Sequence, residues 1–210
     1  MTGGPDRTAP RVAPAWSLGV LAGGAGSRMG RDKGSAPFAG STLLEHAVRR
    51  YAPAGVPVLV STRKDGPAPP AGAERVDDEE PGCGPLAGLV ALLGRTRTKF
   101  LLAVPCDAPL LPPDVGDRLL SFARGADAVL VEREGRVEPF PALIAAEIRP
   151  LLRRLFAEGA RRADAWHERA VAAYVPCGAA FPGVDADRAF WNANDPAGLA
   201  EAERLLRAGG

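Results

Sequence analysis

The chain has only three cysteines, Cys83, Cys106 and Cys177, and no Cys-x-x-Cys pair. So sparse and odd a set argues against a disulfide scaffold and a zinc site, and fits a reducing cytoplasm. No stretch reaches the roughly 18 apolar residues that cross a bilayer, so no membrane contact is expected. Residues 1–16 hold Gly, Pro, Thr and Arg but lack the apolar core of a signal peptide, and a disordered tail is expected there. Excess charge is also missing: 26 Lys and Arg against 25 Asp and Glu leave a net charge of +1. Bulk electrostatics therefore gives no reason to expect nucleic acid as a partner, and any phosphate must be held by locally placed cations. There are only two histidines, His46 and His167, neither in a catalytic motif, and both read as packing or surface residues. No internal repeat is visible.

What remains is a composition 46% apolar and 24% charged over 210 residues, enough for one globular domain, expected over 17–210. Apolar runs alternate with helical spacing. Strands are expected at Leu18–Ala22, Val56–Ser61, Glu74–Asp77, Phe100–Val104, Ala128–Val131, Val137–Ala145 and Val171–Val175. Two prolines in the Val137–Ala145 run predict an edge strand or a bulge. Helices are expected from Ser41, with Glu45 near the end of the first turn, and over Gly84–Leu93, Pro112–Phe122, Ile148–Ala157 and Pro196–Arg207. Lys64–Gly72, rich in Pro, Gly and Ala, reads as a surface loop. This alternation predicts an α/β fold with a mainly parallel sheet, whose ligands sit at the carboxyl ends of the strands.

One such end stands out. The run Leu18 to Ala22 meets Gly23-Gly24-Ala25-Gly26, and Arg28 and Lys33 follow. Glycines allow a sharp turn with bare N–H groups, and the two cations add fixed positive charge, a combination suited to a polyphosphate. Neither familiar phosphate motif fits. A P-loop needs Lys directly after its second glycine, but Arg31 and Asp32 separate Gly30 from Lys33. The dinucleotide fingerprint from Gly24 and Gly26 finds its third glycine, Gly30, one residue late. Ser61 and Thr62 stand where a ribose-binding acid belongs. Asp107 closes another strand end. Beside a triphosphate it is a natural Mg²⁺ ligand; read alone, it is equally a turn or cap aspartate before Pro109.

Four blocks carry a resemblance. Leu21-Ala22-Gly23-Gly24 with Arg28-Met29-Gly30 and Asp32-Lys33 resembles the signature of nucleotidyltransferases that activate small phosphorylated molecules. Its Gly-Gly form with Asp-Lys resembles the molybdenum cofactor guanylyltransferases. Gly84-Pro85-Leu86-Ala87-Gly88, Pro105-Cys106-Asp107-Ala108-Pro109-Leu110 and Phe190-Trp191-Asn192-Ala193-Asn194-Asp195-Pro196 are similar to that family's later blocks, in the same order.

The resemblance implies a Rossmann-like three-layer fold with a mostly parallel mixed sheet. It implies nucleotide contacts from Leu21, Ala22, Gly23, Gly24, Lys33, Ser61, Asp78, Gly84 and Asp107, and Mg²⁺ on Asp107. Lys33, Arg28 and Asp107 would be the catalytic groups. Asp77 stands beside Asp78 as the other aspartate that could face the nucleotide. Asn192, Asn194, Arg161 and Arg162 would face the pterin substrate; an Asx-turn and a solvated helix end are their plainer readings. Two positions depart from the family: Ser61, whose hydroxyl can still hydrogen-bond, stands where Asn is usual, and Asp195 stands where Thr is common, Asp and Thr both being able to cap the last helix. Asp32 is expected to orient Lys33 or serve structure, and Cys106 to be a small buried residue.

The implied activity is transfer of GMP from GTP to the phosphate of molybdopterin or molybdenum cofactor, releasing pyrophosphate. It also implies contact with cofactor-biosynthesis or molybdoenzyme-maturation proteins. Cytidylyltransferases of the same cofactor usually carry Ala-Ala-Gly in the first block, so Ala22-Gly23-Gly24 points to guanine; the cytidylyl reaction and transfer to another small phosphorylated acceptor are the alternatives. Two other classes bear comparison. A nicotinamide oxidoreductase would need the fingerprint spacing and its acid. A non-catalytic nucleotide sensor would not need to keep both Lys33 and Asp107, and both are present.

Overall fold

Five successive residues of Trp16–Leu21 are buried, the pattern of a strand paired on both edges and covered on both faces. This is β1, the centre of the sheet. The computed structural model describes residues 13–22, 32–77 and 83–208. A small hairpin, β2 (Pro37–Phe38) and β3 (Ser41–Thr42), leads into α1 (Leu43–Tyr51), β4 (Val58–Thr62), β5 (Ala73–Asp77), α2 (Pro85–Arg95) and β6 (Phe100–Pro105). Then come α3 (Val115–Leu120), β7 (Ala128–Arg133), β8 (Arg136–Ala145), α4 (Arg149–Ala157) and β9 (Ala172–Pro176). Two short helices follow, α5 (Cys177–Ala180) and α6 (Ala186–Ala189), and α7 (Pro196–Ala208) closes the described chain.

Seven strands form one sheet in the order β5-β4-β1-β6-β8-β7-β9, with β8 alone antiparallel to its neighbours. Alternate side chains feed two cores. One face packs Leu18, Val20, Leu102 and Val104 against α1 and α3, and the other packs Leu59, Leu101 and Ala103 against α2 and α4. The result is the expected mostly parallel mixed sheet between helical layers. From β1 the chain moves outward to β4 and β5, then α2 carries it back to β6 on the other side of β1. The carboxyl ends of β1 and β6 thus adjoin where the strand order reverses, the usual place for a ligand crevice.

Three expectations change. Ser41 lies in β3, and Thr42 is the N-cap of α1. Its hydroxyl accepts from Glu45 N at 3.2 Å while the Glu45 carboxylate accepts from Thr42 N at 2.8 Å. A capping box places its acid partner three positions after the cap, with two residues between, a spacing Thr42 satisfies with Glu45 and Ser41 does not; such a cap contributes about 1 kcal/mol. Trp16, expected in the tail, is the first residue of β1, 3% exposed, with its indole N–H donating to Asp117. The proline-bearing strand β8 is interior, not an edge. Its register against β7 runs Leu130↔Ala142 and then slips to Val131↔Glu138, while β6 pairs only with Ala142 to Ala145. Pro139 and Pro141 therefore sit in the slip, where neither neighbour requires their missing N–H.

Candidate active site

The last backbone bonds of β1 bind three strand ends together. Cys106 N donates to Leu21 O at 3.1 Å and Ala22 N donates to Ser61 O at 2.8 Å. Leu21, Ala22, Ser61 and Asp107 consequently sit at adjacent carboxyl ends. Ser61 is buried there, in register with Leu21.

Lys33 reaches this point from a single 3-10 turn, Lys33–Ser35. Asp32 builds that turn: one carboxylate oxygen accepts from Gly34 N at 3.0 Å, and the other takes an ion pair from Arg63 at 3.2 Å. The expected supporting role of Asp32 is thus visible as a cap on the turn that carries Lys33. Lys33 Nζ donates to Asp107 Oδ2 and to Asn194 Oδ1, both at 2.6 Å. Lys33 and Asp107 side chains are 21% and 15% exposed, so the pair is partly screened from water and still reachable. The C-terminal block joins through its backbone as well, with Ala193 N donating to Asp107 O at 2.8 Å. Three segments far apart in sequence therefore converge on one ammonium and one carboxylate.

The loop after Asp107 is held from beneath by one helix. From α1, the Tyr51 hydroxyl donates to Ala108 O, the His46 ring bonds Pro109 O at 3.0 Å, and Arg50 Nε donates to Leu111 O at 2.8 Å. Burial pulls the His46 pKa below 6.5, aided by the charges of Arg50 and Arg49, so the neutral ring with Nε2–H facing the carbonyl is the form that fits. His46 is a packing residue, as expected. Burial also raises the Cys106 thiol pKa, with the neighbouring Asp107 charge adding to the effect, so Cys106 is not a thiolate nucleophile.

The other expected residues fall in three groups. Gly23, Gly24, Arg28 and Asp78 lie outside the described residues. Gly84 is the N-cap of α2 with φ +84°, and a Cβ there would lie 2.6 Å from Arg161 O. That carbonyl accepts from Leu86 N at 3.3 Å, so the Arg161 loop and the Gly84 block meet through the backbone. The arginine side chains are engaged locally. Arg161 donates to Phe156 O and Ala160 O and lies over the Phe156 ring; Arg162 grips Asp164 with two bonds of 2.9 and 2.6 Å. No bond from either guanidinium reaches Lys33, Asp107 or Asn194. Asp77, at the end of β5, accepts from Arg75 at 2.7 Å.

Asn192 and Asn194 part company. An i to i+2 backbone bond, Asn194 N to Asn192 O at 3.1 Å, turns the chain between them. Asn194 bonds Lys33, while Asn192 donates to Phe190 O at 3.4 Å and lines a neighbouring cleft with Glu138 and Phe140. Asp195 caps α7, accepting from Gly198 N at 2.8 Å. The sequence reading missed Glu138, Phe140 and the support from α1. A signal for the last existed: His46 and Arg50 are four apart, on one face of a helix.

This junction of a strand-end carboxylate, a lysine and a C-terminal asparagine accompanies a match to the family model of the MobA-like NTP transferase domain over residues 18–173. The chain belongs to that family. It is 37% identical over 201 residues to a molybdenum cofactor guanylyltransferase from Acidovorax sp. (strain JS42), covering 89% of this chain and 94% of that protein. It is 34% identical over 185 residues to another from Shewanella sediminis (strain HAW-EB3), covering 84% and 90%. Among solved structures, molybdopterin-guanine dinucleotide biosynthesis protein A from Archaeoglobus fulgidus superimposes with a TM-score of 0.76 at 25% identity, over 91% of this chain and 99% of that one. Like other members of the MobA-like family, the chain is a nucleotidyltransferase. No helix among the described residues is long and apolar enough to cross a membrane.

Proposed function

We propose that the protein transfers GMP from GTP to the terminal phosphate of molybdopterin or its molybdenum-loaded form, releasing pyrophosphate. The observation that carries this is the contact of Lys33 with Asp107 and Asn194 at the β1–β6 switch point, in a chain with guanylyltransferase relatives along most of its length.

The chemistry asks little of acid–base groups. The attacking group is itself a phosphate, largely ionised at neutral pH because its second pKa is about 6, so no protein base is needed. What the site must do is align two phosphates and offset crowded negative charge. Lys33 serves the second need. In this structure its ammonium is balanced by Asp107 and held by Asn194. A triphosphate offers it stronger acceptors close by, and Asn194 limits how far it swings. Arg28 is proposed as a second cation on the same phosphates. The ends of β1 and β4, with Gly84 and Asp78, would contact the nucleotide.

Asp107 fits a divalent ion, proposed to be Mg²⁺, that shares its shell with phosphate oxygens and water. Mg²⁺ prefers one or two carboxylates in such sites, and Asp107 is a partly exposed carboxylate at a strand end. Asp107 would hold the ion, which would supply charge neutralisation for the reacting phosphates. The loop bonds from α1 fix the backbone from which Asp107 projects.

Pyrophosphate release tests this, measured with molybdopterin, Mg²⁺ and GTP, CTP or ATP in turn, for wild type and Asp107→Asn. Release with GTP alone, reduced at least about 100-fold in the variant, is expected. A preference for CTP would move the protein to the cytidylyl reaction. No release with any nucleotide would overturn the cofactor as acceptor.

A further inference from the structure

On the β8 side of Asp107 the slip in the sheet opens a solvent-facing cleft. Its walls come from three places: Pro105 and Ala108 from the end of β6, Glu138 and Phe140 from the slip in β8, and Phe190 and Asn192 from the C-terminal block. Among the described residues no Lys, Arg or His lines it, which makes that lining a poor phosphate site. It offers aromatic rings, prolines, one carboxamide and one carboxylate.

The carboxylate is built in. Arg133 Nε donates to Glu138 Oε1 at 3.0 Å, and both side chains are about three-quarters buried. Arg133 is itself fixed by Asp187 at 2.9 Å and by the Phe190 ring, whose centre lies 5.6 Å from the guanidinium carbon. Glu138 is thereby neutralised and oriented, while its two oxygens retain more lone pairs than Arg133 uses. A flat heterocycle with two adjacent N–H groups complements such a carboxylate, as the amino and ring N–H of a 2-amino-4-oxopyrimidine do.

We propose that this cleft receives the pterin ring of the acceptor, with Glu138 accepting from its 2-amino-4-oxopyrimidine edge as the specificity-determining residue. The assignment rests on the guanylyltransferase reading above. Guanine carries the same edge, so position must decide between the two rings. The β1 end, Ser61 and Gly84 lie toward β4 and β5, whereas the cleft opens on the opposite side of Asp107, under β8. Two rings on opposite flanks bring their phosphates together at Asp107, as transfer between them requires.

The probe is pterin, followed by its fluorescence in titrations of the full chain, with lumazine as the analogue whose 2-amino group is replaced by oxygen. Wild type is expected to bind the pterin, to bind lumazine about tenfold more weakly or worse, and to retain the pterin when GTP is added. Glu138→Gln should abolish that preference and raise the KM for molybdopterin while leaving the KM for GTP in place. Should this variant fail to fold, Glu138→Asp keeps the charge for Arg133 and is expected to reduce the preference by displacing the carboxylate. Competitive displacement by GTP, failure of wild type to bind the pterin, or an unchanged preference in the folded variants would each overturn the proposal. Pyrophosphate release by wild type is read separately, so a lost pterin site and a lost guanylyltransferase activity remain distinguishable.

Discussion

The two flanks of Asp107 are built by different rules. On one side β5, β4, β1 and β6 run parallel in continuous register, joined by helices, and the site groups come from strand ends and the turns that follow them. On the other, β8 runs against β6 and β7 and slips in register at Val131, and the cleft is made from the interruption itself. The first flank is general to α/β sheets, which present backbone and small residues at carboxyl ends to any nucleotide. The second is particular to one acceptor. An irregular strand can aim Glu138 and Phe140 into one space because it is released from strict alternation. Regularity serves the common substrate and irregularity the distinctive one.

The sharpest way to break this division is at the point the two flanks share. Lys33→Met removes the charge from the junction and leaves Asp107 without its ammonium partner. The expected outcome is a fall in kcat of about 100- to 1,000-fold, read by pyrophosphate release. Because both phosphates meet there, the loss should appear at saturating concentrations of either substrate. A variant that only raised the KM for GTP would confine Lys33 to the nucleotide flank.

A smaller effect is expected from Gly84→Ala on that flank. The new methyl would meet Arg161 O at 2.6 Å, at a φ of +84° that alanine adopts poorly. The strain should cost about 1–3 kcal/mol and lower Tm by several degrees in a thermal melt. A rise in the KM for GTP without one for molybdopterin would sharpen the comparison; equal rises would show that the Arg161 loop couples the flanks.

The same contrast explains what the sequence disclosed. Each sheet strand and long helix on the parallel flank was legible, because buried parallel strands are short apolar runs and amphipathic helices carry their own period. Asp107, Lys33 and Asn194 were legible by type and block order. Their mutual contact was not, since residues separated by 74 and 161 positions are joined only by the finished fold. The β8 slip defeated the reading in an instructive way. Pro139 and Pro141 point from sequence to an edge or a bulge, and the structure has the bulge, because an interior strand tolerates proline where both ladders lapse. Glu138 looked like any surface acid. Its significance comes from Arg133 on the adjacent strand, a pairing set by the shifted register.

The finest test concerns the support common to both flanks. His46 is 5% exposed, its ring bonded to Pro109 O in the loop that bears Asp107, and burial holds its pKa below 6.5. The unfolded chain therefore takes up a proton near that value that the folded chain resists. By linkage, the stability His46 contributes is complete above the unfolded pKa and is lost as pH falls below it toward the folded value. His46→Gln removes the titration while its carboxamide retains an N–H for the carbonyl. Between about pH 7.5 and 5.5 the wild type should lose more Tm than the variant, and the gap between them should narrow. A gap independent of pH would show that protonation of His46 leaves the loop undisturbed. Its effect on the two KM values should be equal, because a helix that fixes the Asp107 loop from beneath favours neither the nucleotide flank nor the acceptor flank.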